Sequence, residues 1–214
     1  MGRMKLLKTP TMRRMPTYLH RLQQLADAGQ EYVSCTELAA YMNIDLIVAR
    51  KDIAMTGLAG HRRYGYRVCD LIDAIRKYVG WDQPITATLI GAGALGSALL
   101  GYPDFLENNL HISSVFDADP AKIGTTIHGR KVLDIASIRE HFSGNPPKVG
   151  VICVSNTAAQ ATAELLISLG VKYLWNFANI CLIVPPNVIV QREVIAGGFA
   201  VLAAKIKATE SGED

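Results

Sequence analysis

The sequence predicts an α/β protein in which a small helical domain precedes a doubly wound parallel sheet. Apolar residues recur at helical spacing through the first 80 residues, whereas after Pro84 short apolar runs alternate with helical segments. Such alternation is typical of parallel strands that helices cover on both faces. We place the domain boundaries at 1–82 and 83–192, and assign 193–214 to a C-terminal helix and tail.

Local signals predict two helices at the start of the first domain. Pro16 suits the first turn of a helix, and Gly29 ends the run of apolar residues at helical spacing that follows it, which predicts the first helix. Ser34 and Glu37 have the spacing of a capping box, which predicts a second helix that stops at Asn43.

A third helix and a hairpin complete the first domain. Asp45 is the predicted cap of the helix LIVARKDIAM, which carries Arg50 and Lys51. The very short turn before it gives a helix-turn-helix layout. GHRRYGYRV predicts a hairpin with Arg62 and Arg63 at its tip, so we predict a winged helix.

The charges are unevenly distributed. Residues 1–80 hold thirteen Lys/Arg against seven Asp/Glu, whereas the remainder holds nine against twelve. A basic first third favours a polyanionic partner such as nucleic acid, although small basic domains are common. The four cysteines lack ligand spacing, and no apolar run approaches membrane-spanning length. We therefore expect a cytoplasmic protein without a disulfide framework, metal or membrane span.

A glycine-spaced turn carries the strongest chemical signal. Gly91, Gly93 and Gly96 lie between a predicted strand and helix, as in the Rossmann fold, where the turn binds the pyrophosphate of a dinucleotide. Asp117 ends the next strand, where a carboxylate can bond a ribose diol and would repel a 2′-phosphate. The pattern favours NAD(H) over NADP(H).

Space and side chains argue against hydride-transfer catalysis. From Pro84 onward only 131 residues remain, which leaves no room for a substrate domain. His111, His128 and His141 do not form a convincing acid–base set. We predict that the protein binds its cofactor without consuming it and is not an enzyme.

These stretches together resemble the Rex family of redox-sensing transcriptional repressors of bacteria, over nearly the whole chain. The matching segments are RRMPTYLHRLQQL, ARKDIAMTG, GHRRYGYRV, LIGAGALGSALLGY, FDADPAKIGTTIHG and WNF. The resemblance implies a winged helix, a Rossmann domain that binds NAD(H), and a C-terminal helix swapped between the subunits of a homodimer. It also implies operator DNA binding when NADH is low and release by NADH.

The resemblance extends the set of expected site residues. For the cofactor they are Gly91, Ala92, Gly93, Ala94, Leu95, Gly96, Asp117, Asp119, Lys122, Val154, Ser155, Asn176 and Phe177. For DNA they are Arg14, Arg50, Lys51, Arg62, Arg63 and Tyr64, and for the redox switch at the interface they are Tyr102, Glu193 and Val194.

The chain departs from the family pattern at three places. Leu46, Ile47 and Val48 stand where family recognition helices have small hydroxyl or alanine residues, and Cys153-Val154-Ser155 replaces T-V-P. Val194 replaces the aspartate that pairs with the tyrosine matching Tyr102. These departures concern operator choice and the strength of the NADH response.

Three functions remain open from the sequence alone. The first is an NADH-responsive repressor, including a variant whose response is altered or lost. The second is a small NAD-dependent oxidoreductase whose basic segment serves assembly. The third is a module that binds another adenine cofactor such as coenzyme A.

Overall fold

The computed structural model describes residues 9–211 and divides into two compact units, the first ending at Gln83 and the second beginning at Pro84. Residues 1–8 and 212–214 lie outside the described part, the latter being the end of the predicted C-terminal helix and tail. The first unit contains helices α1 (Thr9–Asp27), α2 (Cys35–Met42), α3 (Leu46–Ala54) and α4 (Val68–Val79), and the short strands β1 (Tyr32–Val33) and β2 (Tyr66–Arg67).

The predicted caps of the helix-turn-helix are confirmed. The Ser34 hydroxyl accepts a hydrogen bond from the Glu37 amide at 3.1 Å, and the Ser34 amide donates to the Glu37 carboxylate at 2.7 Å. Asn43 ends α2 in the left-handed conformation, and the Asp45 carboxylate accepts from the Ile47 amide at 2.6 Å. Caps satisfy amides that a helix end leaves unpaired, so they fix where α2 and α3 begin.

The predicted start of the first helix is wrong. Helix α1 begins at Thr9, which places Pro16 inside it, where proline cannot donate to the carbonyl of Met12. Helix α1 accommodates this loss because Met15, Tyr18 and Leu22 are fully buried in the core that α1 shares with α4. Packing therefore outweighs the local preference of proline.

The predicted basic hairpin is present in a minimal form. His61 and Gly65 exchange two backbone hydrogen bonds, and Arg62, Arg63 and Tyr64 form the exposed tip between them. Strand β2 follows and pairs antiparallel with β1. The ring centroids of Tyr64 and Tyr32 lie 5.4 Å apart, so the tip of the hairpin packs against strand β1.

The second unit is a seven-stranded sheet with helices. Its strands are β3 (Ile85–Ile90), β4 (Leu110–Asp117), β5 (Thr126–Ile127), β6 (Arg130–Asp134), β7 (Val149–Ile152), β8 (Tyr173–Asn176) and β9 (Ile189–Arg192). Its helices are α5 (Ala94–Leu100), α6 (Pro103–Glu107), α7 (Ile138–Phe142), α8 (Asn156–Ser168) and α9 (Ile195–Ser211). The sheet order β5-β6-β4-β3-β7-β8-β9 is parallel except at the β5–β6 pair. The predicted α/β fold class is confirmed.

The segment after β4 differs from its predicted form. The stretch DIASIREHF, residues 134–142, has a pattern that predicts one helix, but Asp134 ends β6 and caps a 3-10 turn that leads into α7. Residues before it form the β5–β6 hairpin, and β6 extends the sheet beside β4 with Val132 fully buried. Pairing with a distant strand decides the conformation here, and a local pattern does not contain that contact.

Candidate cofactor site and nucleic-acid interface

The sheet order reverses between β3 and β7, and a cavity of about 540 Å³ lies at the carboxyl ends of these strands and β4. Open α/β sheets bind their ligands at such a switch point. The cavity is lined by Ile90, Gly91, Gly93, Asp117, Ala118, Lys122, Ile135, Cys153, Val154, Ser155, Ala158, Ala161, Thr162 and Leu165. Its volume is in the range typical of small-molecule sites.

The three glycines of the turn differ in what surrounds them. A Cβ on Gly91 would lie 2.6 Å from the Cys153 carbonyl oxygen, and the φ of Gly91 is +103°. A Cβ on Gly96 would collide with the Gly91 carbonyl, so α5 packs against the strand only without a side chain there. A Cβ on Gly93 would meet nothing within 4 Å. Gly91 and Gly96 are therefore required by the fold, whereas Gly93 leaves backbone open to a ligand.

Asp117 organises the turn from the end of β4. Its Oδ2 accepts hydrogen bonds from the Ala92 amide at 2.7 Å and from Lys122 Nζ at 3.3 Å, and its Oδ1 accepts from the Asp119 amide at 2.9 Å. A carboxylate has about four acceptor positions, so one remains on Oδ1. The carboxylate thus positions the glycine turn, and its contact with a ribose stays a prediction.

The charges at this end of the cavity are coupled. Burial raises the pKa of Asp117, but the amides of Asp119 and Ala92 and the Lys122 ammonium outweigh it and hold that pKa below its ordinary value. Lys122 Nζ also lies 3.4 Å from Asp119 Oδ2. Two carboxylates therefore share one ammonium, which leaves the rim negative.

The remaining predicted cofactor residues have different surroundings. Val154 and Ser155 line the cavity, and Ser155 stands at the N-cap position of α8 with its hydroxyl 2.9 Å from that of Thr157. Asn176 is fully buried, and its side chain bonds the backbone of Ala178 and Ile180, which shapes the loop after β8. The cavity wall does not include Ala92, Ala94, Leu95, Gly96, Asp119, Asn176 or Phe177, so their cofactor contacts stay predictions.

Part of the cavity wall was not predicted. Ala158, Ala161 and Thr162 face it from α8, with Ile135 and Leu165 beside them. The spacing of the three small residues places them on one face of a helix, a signal that was available in the sequence. The position of Ile135 depends on the β6 pairing and had no local signal.

In the first unit, the exposed face of α3 carries Ile47, Arg50 and Lys51, three and four residues apart. Ala49, Asp52 and Ile53 are buried on the opposite face. The predicted DNA residues Arg50 and Lys51 are thus free to meet a ligand, as are Arg62, Arg63 and Tyr64 at the wing tip.

Arg14 lies in an ion pair that was not predicted. Its Nε lies 2.6 Å from Asp52 Oδ2, and its terminal nitrogen donates to Oδ1 at 2.8 Å. Thr11 and Tyr18 donate their hydroxyls to the same carboxylate. The DNA contact of Arg14 stays a prediction, while its structural contact joins α1 to α3.

The three predicted switch residues have contacts of their own in the single chain. The Tyr102 hydroxyl donates to Asp104 at 3.0 Å, and this bond raises the pKa of Tyr102. Glu193 accepts from Gln191 at 2.9 Å and from Trp175 at 3.4 Å. Val194 is exposed just before α9. Their role in switching stays a prediction.

Helix α9 buries none of its described residues within the single chain. Ile195, Phe199, Leu202 and Ile206 are exposed and follow one another at helical spacing, so they form a continuous apolar stripe. Such a stripe on a helix with two adjacent glycines requires a partner surface.

The described residues contain neither a metal cluster nor a membrane-spanning helix. No group of three or more acidic, histidine or cysteine side chains within residues 9–211 could hold a metal ion. None of the helices in that range is long and apolar enough to cross a bilayer.

Two family models match the chain. The model described as "Putative DNA-binding protein N-terminus" covers residues 9–54, and the model described as "CoA binding domain" covers residues 82–180. The first spans helices α1 to α3 of the first unit, and the second spans most of the Rossmann unit. Together they define a two-unit protein that joins a DNA-binding type of domain to a nucleotide-binding type of domain.

Full-length relatives identify the family. The redox-sensing transcriptional repressor Rex of Treponema denticola is 38% identical over 94% of this chain and 96% of its own. The solved structure of RSP in complex with NAD+ and operator DNA matches with a TM-score of 0.86 and 28% identity, over 98% of this chain and 96% of that one. RSP in complex with NADH matches with a TM-score of 0.84 and 27% identity, over 98% of both chains. The chain belongs to the Rex family of redox-sensing transcriptional repressors.

Proposed function

We propose that this protein is a dimeric, NADH-responsive transcriptional repressor, which binds operator DNA when NADH is scarce and releases it when NADH is bound. One observation carries the proposal above the others. A cavity with an open glycine backbone lies at the switch point of a Rossmann sheet, on the same chain as a winged helix with an exposed basic face. The family relationship supports the same function.

The residues that line the cavity can be assigned to the pyrophosphate, the adenosine ribose and the adenine of NAD(H). The turn at Gly91 and Gly93 would hold the pyrophosphate, since unobstructed backbone amides bind anions. The free acceptor position on Asp117 would bind the adenosine ribose, and Ile135, Ala161 and Leu165 would pack against the adenine ring. RSP, which is similar to this chain, has been solved in complex with NAD+ and with NADH.

Coenzyme A is the second candidate ligand, because the CoA-binding family model matches the unit. NADH carries no additional phosphate on its adenosine ribose, whereas coenzyme A and NADPH do. Among the described residues, Asp117 and Asp119 share the Lys122 ammonium at the rim, and this negative balance disfavours the additional phosphate. We therefore place NAD(H) first.

We infer that the protein is not an enzyme. Among the described residues that line the cavity, no histidine is present, and the one thiol there is Cys153. Burial raises the pKa of Cys153 to about 12, so the thiol stays protonated and is a poor nucleophile. A cytoplasmic location follows from the proposed role on DNA.

The proposed release of DNA is a two-state equilibrium of the dimer. One state spaces the two winged helices for adjacent major grooves, and the other does not. A cofactor shifts this balance only as far as its affinities for the two states differ. Val194 stands where the family has aspartate, so we expect it to affect how strongly the two states differ in their affinity for NADH.

Titrating a DNA complex with NADH and with NAD+ tests the function. The full chain is bound to a palindromic duplex selected from random DNA, and each nucleotide is added at constant salt. We expect NADH to release the DNA at concentrations where NAD+, NADPH and coenzyme A do not. No DNA binding at any salt would refute the proposal, and release by coenzyme A alone would favour the second ligand.

We predict that Gly93→Ala lowers NADH affinity at least tenfold and leaves the fold intact. Its Cβ would enter open space in the protein but would occupy the approach to the pyrophosphate. Gly96→Ala is the matched contrast, because its Cβ would collide with the Gly91 carbonyl and should lower both Tm and affinity. Tryptophan quenching by NADH and thermal unfolding measure the two effects. A Gly93→Ala protein with full NADH affinity would contradict the placement.

A further inference from the structure

Ile47, the second residue of α3, has an apolar side chain that does not pack in the core. Ile47 is 59% exposed, although its neighbours on the opposite side of the helix are buried. Isolated exposed apolar residues are ordinary on protein surfaces, so exposure alone gives no function. The position of Ile47 on the helix-turn-helix is what makes it informative.

Ile47 shares its face with the two cations of the helix. Arg50 and Lys51 follow it by three and four residues, so the three side chains lie along one exposed face. Residues near the start of a recognition helix contact base edges in helix-turn-helix proteins. The cations suit phosphates and guanine, and the isoleucine occupies the position nearest the start of the helix.

The local structure holds Ile47 firmly. Its amide donates to the Asp45 carboxylate at 2.6 Å, which fixes the first turn of α3. An isoleucine in a helix has one strongly preferred χ1 rotamer, so its methyl groups keep one direction. The side chain can neither donate nor accept a hydrogen bond.

We propose that Ile47 reads a thymine in each half-site of the operator through contact with the C5-methyl group. That methyl is the one apolar feature that a base pair presents in the major groove, and apolar side chains recognise it. The proposal rests on the proposed function, because it requires α3 to lie in the major groove. It assigns a specificity role to the position where this chain departs from small residues.

Uracil replacement in the DNA tests the contact directly, because deoxyuridine differs from thymidine only by the missing methyl. A duplex is selected from random DNA with the full-length protein, and each thymine is then replaced by uracil in turn. We expect one thymine in each half-site at which the replacement weakens binding about fourfold, the value for one buried methyl-sized group. In Ile47→Ala, the same replacement should change affinity by less than twofold.

Two comparisons make the result specific. Ile183→Ala is the matched control, because Ile183 is an exposed isoleucine of the other unit, and the uracil effect should be unchanged in it. The Tm of Ile47→Ala should equal that of the unmodified protein, since the side chain is not part of the core. Equal uracil effects in the Ile47→Ala and unmodified proteins would overturn the inference while leaving DNA binding intact. No binding to any duplex would instead refute the proposed function and the inference with it.

Discussion

Asp52→Ala is expected to destabilise the N-terminal unit by about 3 kcal/mol, because removing one partner of a buried ion pair leaves the other uncompensated. Asp52 is 1% exposed and accepts hydrogen bonds from Arg14, Thr11 and Tyr18. The effect belongs at the lower end of the usual range of about 3–5 kcal/mol. The Arg14 side chain keeps 28% exposure and can regain water.

The measurement must separate the first unit from the second. Trp81 packs against the core of the first unit, whereas Trp175 lies in β8 of the second. Urea unfolding followed by Trp81 fluorescence in a Trp175→Phe background therefore reports the first unit. Asp45→Ala is the matched control, since it removes an equal charge from the cap of α3 and should cost about 1 kcal/mol. Equal losses for the two variants would contradict a buried role for Asp52.

The same carboxylate predicts a pH dependence. Burial raises the pKa of Asp52, but hydrogen bonds from Arg14 and Thr11 and the Arg14 charge outweigh it and hold the pKa below its ordinary value of 3.8. A carboxyl with a lowered folded pKa stabilises above the unfolded pKa, and that stability is lost as pH falls through the folded pKa. The stability difference between the unmodified protein and Asp52→Asn should therefore be constant from pH 5 to 8. This difference should shrink below about pH 4, and a difference at pH 3 equal to that at pH 7 would contradict a lowered pKa of Asp52.

The buried pair also links α1 to α3. Asp52 lies on the inner face of α3, directly after the exposed Arg50 and Lys51. Its bonds to Arg14 and Thr11 fix the rotation of α3 relative to α1. Thus the charge that holds the helix-turn-helix together also sets which side chains face outward.

The sequence was informative where local chemistry decides the structure. Ser34, Asn43 and Asp45 mark helix ends through hydrogen bonds within a few residues, and the spacing of Gly91, Gly93 and Gly96 marks a strand–turn–helix joint. Predictions from the sequence were wrong where contacts with distant residues decide the conformation. Pro16 lies in a helix because its neighbours pack on α4, and β6 forms because β4 offers an edge.

The candidate site divides in the same way. The phosphate turn and Asp117 follow from motif spacing, but the hydrogen bonds to Asp117 depend on the folded structure. The Asp119 amide and the Lys122 ammonium reach it from the loop after β4, and the Ala92 amide reaches it from the glycine turn, 25 residues away. The sequence analysis listed Arg14 as a DNA-binding residue, and no local pattern indicated its ion pair with Asp52, which is 38 residues away. Long-range pairs of opposite charge are not encoded by a local pattern.

The second large effect concerns α9, where Phe199→Glu is expected to convert the dimer to monomers and lower DNA affinity by about 10²–10⁴-fold. Phe199 is 70% exposed in the single chain, at the centre of the stripe with Ile195, Leu202 and Ile206. Burying a glutamate without a partner at an apolar interface is strongly unfavourable. A monomer would present one winged helix to a two-fold operator and lose the advantage of binding both half-sites.

Ala204→Glu provides the matched control for Phe199→Glu. Ala204 lies five residues after Phe199 on the side of α9 away from the stripe, and its substitution adds the same charge. Sedimentation should give a monomer for Phe199→Glu and a dimer for Ala204→Glu. If the Rossmann unit folds without its partner, NADH should quench the tryptophan fluorescence of both variants as it does in the unmodified protein. The buried core of that unit contains no residue of α9 within the described range, so loss of the dimer need not unfold it. If Phe199→Glu remains dimeric, the stripe is not the subunit contact, and another surface must hold the two DNA-binding units together.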